Sequence, residues 1–389
     1  MKRILSWFFA VILIIVQAIC PDYFKSGLEW QGESMTVFEP TEGGVYYPRI
    51  YHLSDGTLLC GFTLTGGGKK SRIVTVRSED NGKTWSKTPI VASVHPELNC
   101  DNVNFFELPS GELLLAYRAV LSDESGTYTS LRVAVSTDKG YTWSEHSLIT
   151  ECRNSTFNGV WEPHLEMIDG KLLVFYANDS LAGDGVTSGD RQNIEYRIYD
   201  GAKWTDKYIV SSGEKTRSRD GMPVITKLRD GGYAIAIEGT RSVNPLQNPK
   251  NGMFIKLLIS EDGFEWDETK AVNVYYPKDV SRVSAAPYIV TLPDGRVAVS
   301  YQTDDCYPVK GDLPKGQNFD MKVSVSLCEV TKDTSVMGFT KGESVFSIPE
   351  GFCAIWNSMA VIGNQLYCVS SSNYGGSKII LRISNTESR

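Results

Sequence analysis

Two glutamates in this chain occupy positions where a carboxylate is costly. Glu162 sits between an indole and a proline in Val160-Trp161-Glu162-Pro163-His164, where an apolar strand begins. Glu238 ends another apolar run, Ala236-Ile237-Glu238-Gly239-Thr240. A charge at the end of a buried strand is unfavourable unless it is paired or used. Two carboxyl groups facing each other across a sugar perform glycoside hydrolysis. They stand about 5–5.5 Å apart for retention and farther apart for inversion. The competing reading is an ion pair to a channel arginine such as Arg49 or Arg219, because ion-pair networks also gather carboxylates.

The elements that must position these groups repeat along the chain. A hairpin of two apolar strands around a tight turn occurs in six copies, opening near Pro48, Asn104, Glu162, Met222, Ala286 and Asn357. Their turn glycines are Gly56, Gly111, Gly170, Gly231, Gly295 and Gly363, at a near-constant period of about sixty residues that marks a repeat architecture. Between hairpins lies a second element, Ser-x-Asp-x-Gly-x-Thr-Trp, at Ser78 to Trp85 and Ser136 to Trp143. Shortened forms stand at Ser260 to Trp266 and Asp200 to Trp204. Its aspartate accepts the amides of its own turn, and its tryptophan folds back on neighbouring strands. A group needed in every repeat is read here as a turn brace and not as a catalyst.

Each unit therefore holds four strands: a hairpin, a third strand, the Asp/Gly turn and a Trp-led outer strand. Six such units predict an all-β, six-bladed β-propeller spanning residues 21–389 as one domain. Met35-Thr36-Val37-Phe38 lies outside the six hairpins and is expected to close the ring as the outer strand of the last blade.

In a propeller the inner strands converge on a channel, and polar groups at their ends form the expected binding site. The candidates for substrate contact are Arg49, Asn104, Trp161, Asn178, Arg219, Asp220, Ser284, Tyr301 and Trp356, around the catalytic pair Glu162 and Glu238.

Composition limits the alternatives. The 389 residues carry a net charge of -7 with no long Lys/Arg run, which argues against nucleic acid as a partner. Cys60, Cys328 and Cys368 lie in apolar runs, whereas Cys100, Cys152, Cys306 and Cys353 sit in looser segments and are candidates for pairing. No cysteine or histidine cluster has zinc spacing, so neither metal nor cofactor is expected. Residues 1–20 read as a secretory signal: Lys2 and Arg3, then an apolar run to about Ala18 that is short for a membrane span. Cys20 adds a lipoprotein reading, so the expected location is exported: periplasmic, outer-membrane-anchored or secreted in a bacterium. The only expected membrane contact is that lipid anchor, and the expected state is a monomer.

The Asp-box turns and the opening Tyr47-Pro48-Arg49-Ile50 resemble the sialidase superfamily of six-bladed propellers. Trp161-Glu162-Pro163, Arg219-Asp220-Gly221-Met222-Pro223-Val224 and Ile237-Glu238-Gly239 together resemble glycoside hydrolase family 93, the exo-α-1,5-L-arabinanases that release arabinobiose. The resemblance covers nearly all of the chain after the signal. It implies a retaining mechanism with Glu162 as nucleophile and Glu238 as acid/base on an oligosaccharide or polysaccharide substrate. It also implies a tyrosine beside the carboxylates in the last blade, where this chain reads Trp356-Asn357-Ser358-Met359. Two alternatives stand beside it: an exo-sialidase gripping a carboxylate with Arg49, Arg219 and Arg282, and a non-catalytic glycan-binding propeller. Against the sialidase, Gly68-Lys69-Lys70-Ser71-Arg72 lacks the acid/base aspartate expected there, and no tyrosine opens the last blade.

Overall fold

The computed structural model describes residues 28–154, 158–180, 191–240, 252–277, 282–305, 321–333 and 338–386. Its strands form six antiparallel sheets, each built outward from one inner strand. The inner strands are Val45–His52, Asn99–Glu107, Val160–Ile168, Gly221–Lys227, Ser284–Thr291 and Ala354–Ile362, numbered here as blades 1 to 6. Each inner strand packs against the next, and the sixth packs against the first, so the ring is a closed propeller. Closure uses the N-terminal segment as the repeat count anticipates. Met35–Phe38 pairs with Lys378–Asn385 at the outside of blade 6, with Glu29–Trp30 along the same strand.

Each hairpin turn falls at its predicted glycine. In blade 3 both Asp169 and Gly170 take positive φ, as a two-residue type I′ turn requires. The Asp-box turns are braces. Asp80 accepts the Thr84 amide at 2.9 Å and its hydroxyl at 2.7 Å, Ser78 donates to Asp80 at 2.8 Å, and Trp85 Nε1 donates to the Gly82 carbonyl at 3.1 Å. Asp138 repeats the set with Thr142, Ser136 and Trp143. Trp204, in the reduced copy, instead donates to Ser147 of the preceding blade at 2.9 Å. One detail differs from the sequence reading. The outer strands of blades 1, 3 and 4 are Ile90–Val91, Tyr208–Ser211 and Val272–Tyr275, well after Trp85, Trp204 and Trp266, so in those blades the tryptophan belongs to the turn. In blade 2 Trp143 leads directly into Ser144–Asn154.

The core lies between blades. Tyr301, Val299 and Val325 of blade 5, for example, are buried with Ala354, Met359 and Cys368 of blade 6. Cys100, Cys152 and Cys353 form no disulfide with one another, and the fourth candidate, Cys306, lies outside the described residues. The signal segment also lies outside them.

One irregularity recurs in every blade and matters most for function. Near its start each inner strand carries a β-bulge in which two residues oppose one on the partner strand. The first bulge residue is Tyr47, Asn102, Glu162, Met222, Ala286 or Trp356, and all six have φ between 46° and 57°. A non-glycine residue in this left-handed region is strained and persists only where its surroundings over-determine it. Four of the six are followed by proline (Pro48, Pro163, Pro223, Pro287), which has no N–H to lose where the ladder is interrupted.

Candidate active site

The bulges turn one residue per blade toward the channel mouth. Five of the six, Tyr47, Asn102, Glu162, Met222 and Trp356, line one cavity of about 270 Å³. A second tier comes, in blades 2, 4 and 5, from the strand beside the inner strand, at the residue paired just ahead of the bulge. Arg118 pairs with Asp101, Glu238 with Gly221 and Gln302 with Ala285. All three also line the cavity, together with Trp161, Arg219, Met253, Val283, Ala285 and Met321.

Amides of the bulge residues tie neighbouring blades together. Met222 N donates to Glu162 Oε2 at 3.3 Å, Ala286 N to Glu238 Oε2 at 2.8 Å, and Trp356 N to Gln302 Oε1 at 2.8 Å. In blades 4, 5 and 6 the amide of the first bulge residue is thus taken up by a side chain of the preceding blade. A methyl group placed on Gly221 would stand 3.0 Å from Glu238 Oε1. Glu162 and Glu238 therefore meet at Gly221–Met222, and covalent geometry holds their nearest oxygens within roughly 10 Å.

The electrostatics of the pair follow from burial and mutual repulsion. Glu162 is pushed up to about 7, first by burial and then by the charge of Glu238, against the pull of Arg219 and Arg118. Glu238 is also raised, chiefly by burial and further by Asp220, while Arg219 and the Ala286 amide oppose the rise. Arg219 Nη1 lies 3.6 Å from Glu238 Oε1. Two carboxyls in one dry site titrate as a unit and favour a single shared proton.

The walls are rigid. Arg118 forms a two-pronged ion pair with Asp101, at 2.7 and 2.5 Å, and its guanidinium lies 4.0 Å over the Trp161 ring. Trp161 Nε1 donates to Asp179 at 2.9 Å. Tyr47 and Trp356 stack with centroids 4.5 Å apart, so the tyrosine of the cavity comes from blade 1, the neighbour of blade 6 across the closure.

Beneath the carboxylates the channel narrows to a space of about 10 Å³ lined by Arg49, Asn102, Glu162, His164 and Met222. Arg49 is buried, donates to the Pro48 and Asn357 carbonyls at 3.0 Å and lies 5.5 Å over the Tyr288 ring. The His164 ring meets Tyr288 edge-on at 6.3 Å and is bonded to Asn104 at 3.1 Å. Burial, then the Arg49 charge, drives His164 down to about 3, so it is a neutral wedge.

Of the eleven residues predicted for the site, Glu162, Glu238, Trp161, Arg219 and Trp356 line the cavity. The other six do not reach it. Arg49 and Asn104 point into the channel one layer deeper and form its floor. Asn178 donates to buried Glu195 at 2.8 Å and caps Ser180. Asp220 is fully buried against Lys256 at 2.8 Å and Ser211 at 2.5 Å. Ser284 is fully buried, and Tyr301 faces the gap between blades, stacked on Tyr275 at 4.6 Å. The reason is strand alternation: proximity to a strand end does not decide which face a side chain takes. The methionines Met222, Met253 and Met321 were not anticipated. Met222 was accessible from the X-Pro signature; the other two carry no comparable signal.

The arginine triad of the sialidase alternative does not assemble. Arg49 lies in the floor, Arg282 is buried with its Nη1 3.9 Å from Asp304, and only Arg219 reaches the cavity.

No family model matches the sequence, and no curated protein matches it at a significant level. Solved structures do. An α-L-arabinanase of Penicillium chrysogenum complexed with arabinobiose superposes with a TM-score of 0.68 at 20% identity, covering 92% of this chain and 99% of that one. A family 93 α-L-arabinofuranosidase of Fusarium graminearum, also with arabinobiose, gives 0.66 at 19% identity, over 92% and 98% of the two chains. The NanB sialidase of Streptococcus pneumoniae gives 0.58 at 13% identity, over 91% of this chain and 70% of that one. The fold is thus the sialidase-like six-bladed propeller, with family 93 glycoside hydrolases among its structural neighbours.

Proposed function

We propose that this chain is a retaining glycoside hydrolase acting in exo fashion on α-1,5-linked L-arabinan or arabino-oligosaccharides and releasing arabinobiose. The observation that carries the reading is the meeting of Glu162 and Glu238, from adjacent blades, in one cavity of about 270 Å³. The two structural neighbours that hold arabinobiose favour an arabinose disaccharide over other small glycans. Arg49, Asn104, His164 and Tyr288 narrow the channel below the cavity, which favours attack at a chain end.

In the proposed reaction Glu162 carries the negative charge and Glu238 the shared proton. Glu162 attacks the anomeric carbon as Glu238 protonates the departing glycosidic oxygen; one C–O bond forms and one breaks. Glu238, now a carboxylate, then takes a proton from water, whose oxygen displaces Glu162. With the proton on Glu238, the repulsive part of the rise at Glu162 disappears, leaving burial against the pull of Arg219 and Arg118 toward its ionised form. The Tyr47–Trp356 pair offers an aromatic wall to the sugar ring.

The test is a hydrolysis screen of linear α-1,5-arabinan, arabino-oligosaccharides and a sialoside with the wild type and with Glu162→Gln and Glu238→Gln. One short arabinose product from the wild type, and a loss on the order of 10²–10⁴-fold in each variant, is expected. Full activity in either folded variant contradicts the site. We also propose export through residues 1–20; N-terminal mass analysis of the protein from its native host, finding an intact Met1 terminus, would oppose it.

A further inference from the structure

Behind Glu238 lies an ion pair that the proposed chemistry does not touch. Asp220 and Lys256 are both buried, and Lys256 Nζ stands 2.8 Å from Asp220 Oδ1. Ser211 donates to Asp220 Oδ2 at 2.5 Å, and the Asp220 amide donates to the Gln192 carbonyl at 3.2 Å. Neither member lines the cavity. A buried ion pair is weak evidence for stability, since apolar replacements often serve as well. Its placement points to another role.

The segment that carries Asp220 is fastened to the strand end that carries Glu238. Thr240 N donates to Ser218 Oγ at 2.9 Å, and Arg219 N donates to Thr240 Oγ1 at 2.9 Å. Gly221, next to Asp220, is the ladder partner of Glu238. Between them Gly239 leaves no gap: a methyl there would stand 3.0 Å from Asp220 Oδ1 and 3.2 Å from Lys256 Cε. The negative end of the pair is thus held against the backbone of Glu238–Gly239 at fixed distance.

We propose that Asp220, braced by Lys256, is a positioning residue that opposes ionisation of Glu238. This rests on the paired-carboxylate reading. The charge of Asp220 works with burial here, against the larger pull of Arg219 and the Ala286 amide toward the ionised form. Lys256 keeps Asp220 charged in a buried site without itself approaching the cavity. The other groups that act on Glu238 are the Arg219 guanidinium and the Ala286 amide, and its own charge is felt by the Glu162 carboxyl and the Tyr47 phenol.

The test is a carbon-13 NMR titration of the Glu238 carboxyl, assigned by its absence in Glu238→Gln, read beside the pH profile of kcat/KM. Asp220→Asn lowers the Glu238 midpoint by about one pH unit, and the alkaline limb of the profile follows it downward. Lys256→Met, which strips Asp220 of its counter-charge, moves both upward. The double variant, which buries no unpaired charge and guards against a single variant that does not fold, moves them downward by less than Asp220→Asn. A folded Asp220→Asn or double variant with an unmoved Glu238 midpoint overturns the proposal, as does a shift in the opposite direction. Because the NMR titration needs no substrate, an inactive wild type would sink the hydrolase reading and leave this test intact.

Discussion

Glu162 and Glu238 meet at the same two residues of backbone. Glu162 accepts the Met222 amide, and Glu238 lies against Gly221, its ladder partner. A bulge turns the first into the channel, and the register of the next blade brings the second alongside. Their separation is therefore set by the ladder of blade 4 and not by flexible side chains.

That coupling predicts how activity and stability respond to pH. Activity should be bell-shaped, with an alkaline limb near pH 7 where the shared proton leaves the pair. The pair holds its shared proton in the folded state up to about 7, above the unfolded glutamate value of about 4.3. Its favourable contribution is thus complete below about pH 4 and is lost as pH rises through about 7. Glu162→Gln should then raise unfolding free energy at pH 8 by about 1–3 kcal/mol, with little change at pH 4. Urea unfolding at the two pH values checks this.

Gly221 is where the two carboxylates can be disturbed without altering either. A methyl there stands 3.0 Å from Glu238 Oε1 and 3.3 Å from Gln192 Nε2. Gly221→Ala should lower kcat by about 10²-fold, since misplacement by an ångström costs that much. An unchanged kcat would show that Glu238 need not sit where it does.

The aromatic wall should act in binding. Trp356→Ala removes the partner that stacks on Tyr47 at 4.5 Å. It should raise KM about tenfold with a smaller effect on kcat, in line with the worth of one aromatic pair. Steady-state kinetics separates the two terms.

The Asp-boxes should behave in the opposite way. Hydrogen bonds, that from the Thr84 hydroxyl first, hold Asp80 down at about 2, and Thr142 does the same for Asp138. A lowered carboxylate contributes stability above its unfolded value of about 3.9 that is lost as pH falls through about 2. Asp80→Ala and Asp138→Ala should lower the melting temperature at pH 7 and leave kcat unchanged. A folded but inactive variant would contradict their role as braces.

Much of this was legible in the sequence because it repeats. Six turn glycines at a fixed period specify six blades, and the surplus strand Met35–Phe38 specifies how the ring closes. Glu162 and Glu238 stood out because neither repeats. What could not be read was depth. Asp220 and Arg219 are neighbours in sequence, yet one is buried against Lys256 and the other lines the cavity. Tyr301 and Gln302 divide likewise between blade core and cavity. Adjacent residues on a strand face opposite ways, and a bulge changes which way that is. The prolines after Tyr47, Glu162, Met222 and Ala286 were the available sign of those bulges.

The central claim is that Glu162 and Glu238 are nucleophile and acid/base of one retaining site. The most direct measurement is peptide mass mapping of the protein after reaction with an activated 2-fluoro arabinofuranoside, which forms the glycosyl-enzyme bond faster than water breaks it. The account predicts one pentosyl adduct, on the peptide containing Glu162, absent in Glu162→Gln. An adduct on any other residue, or none while turnover of arabinan continues, would contradict it.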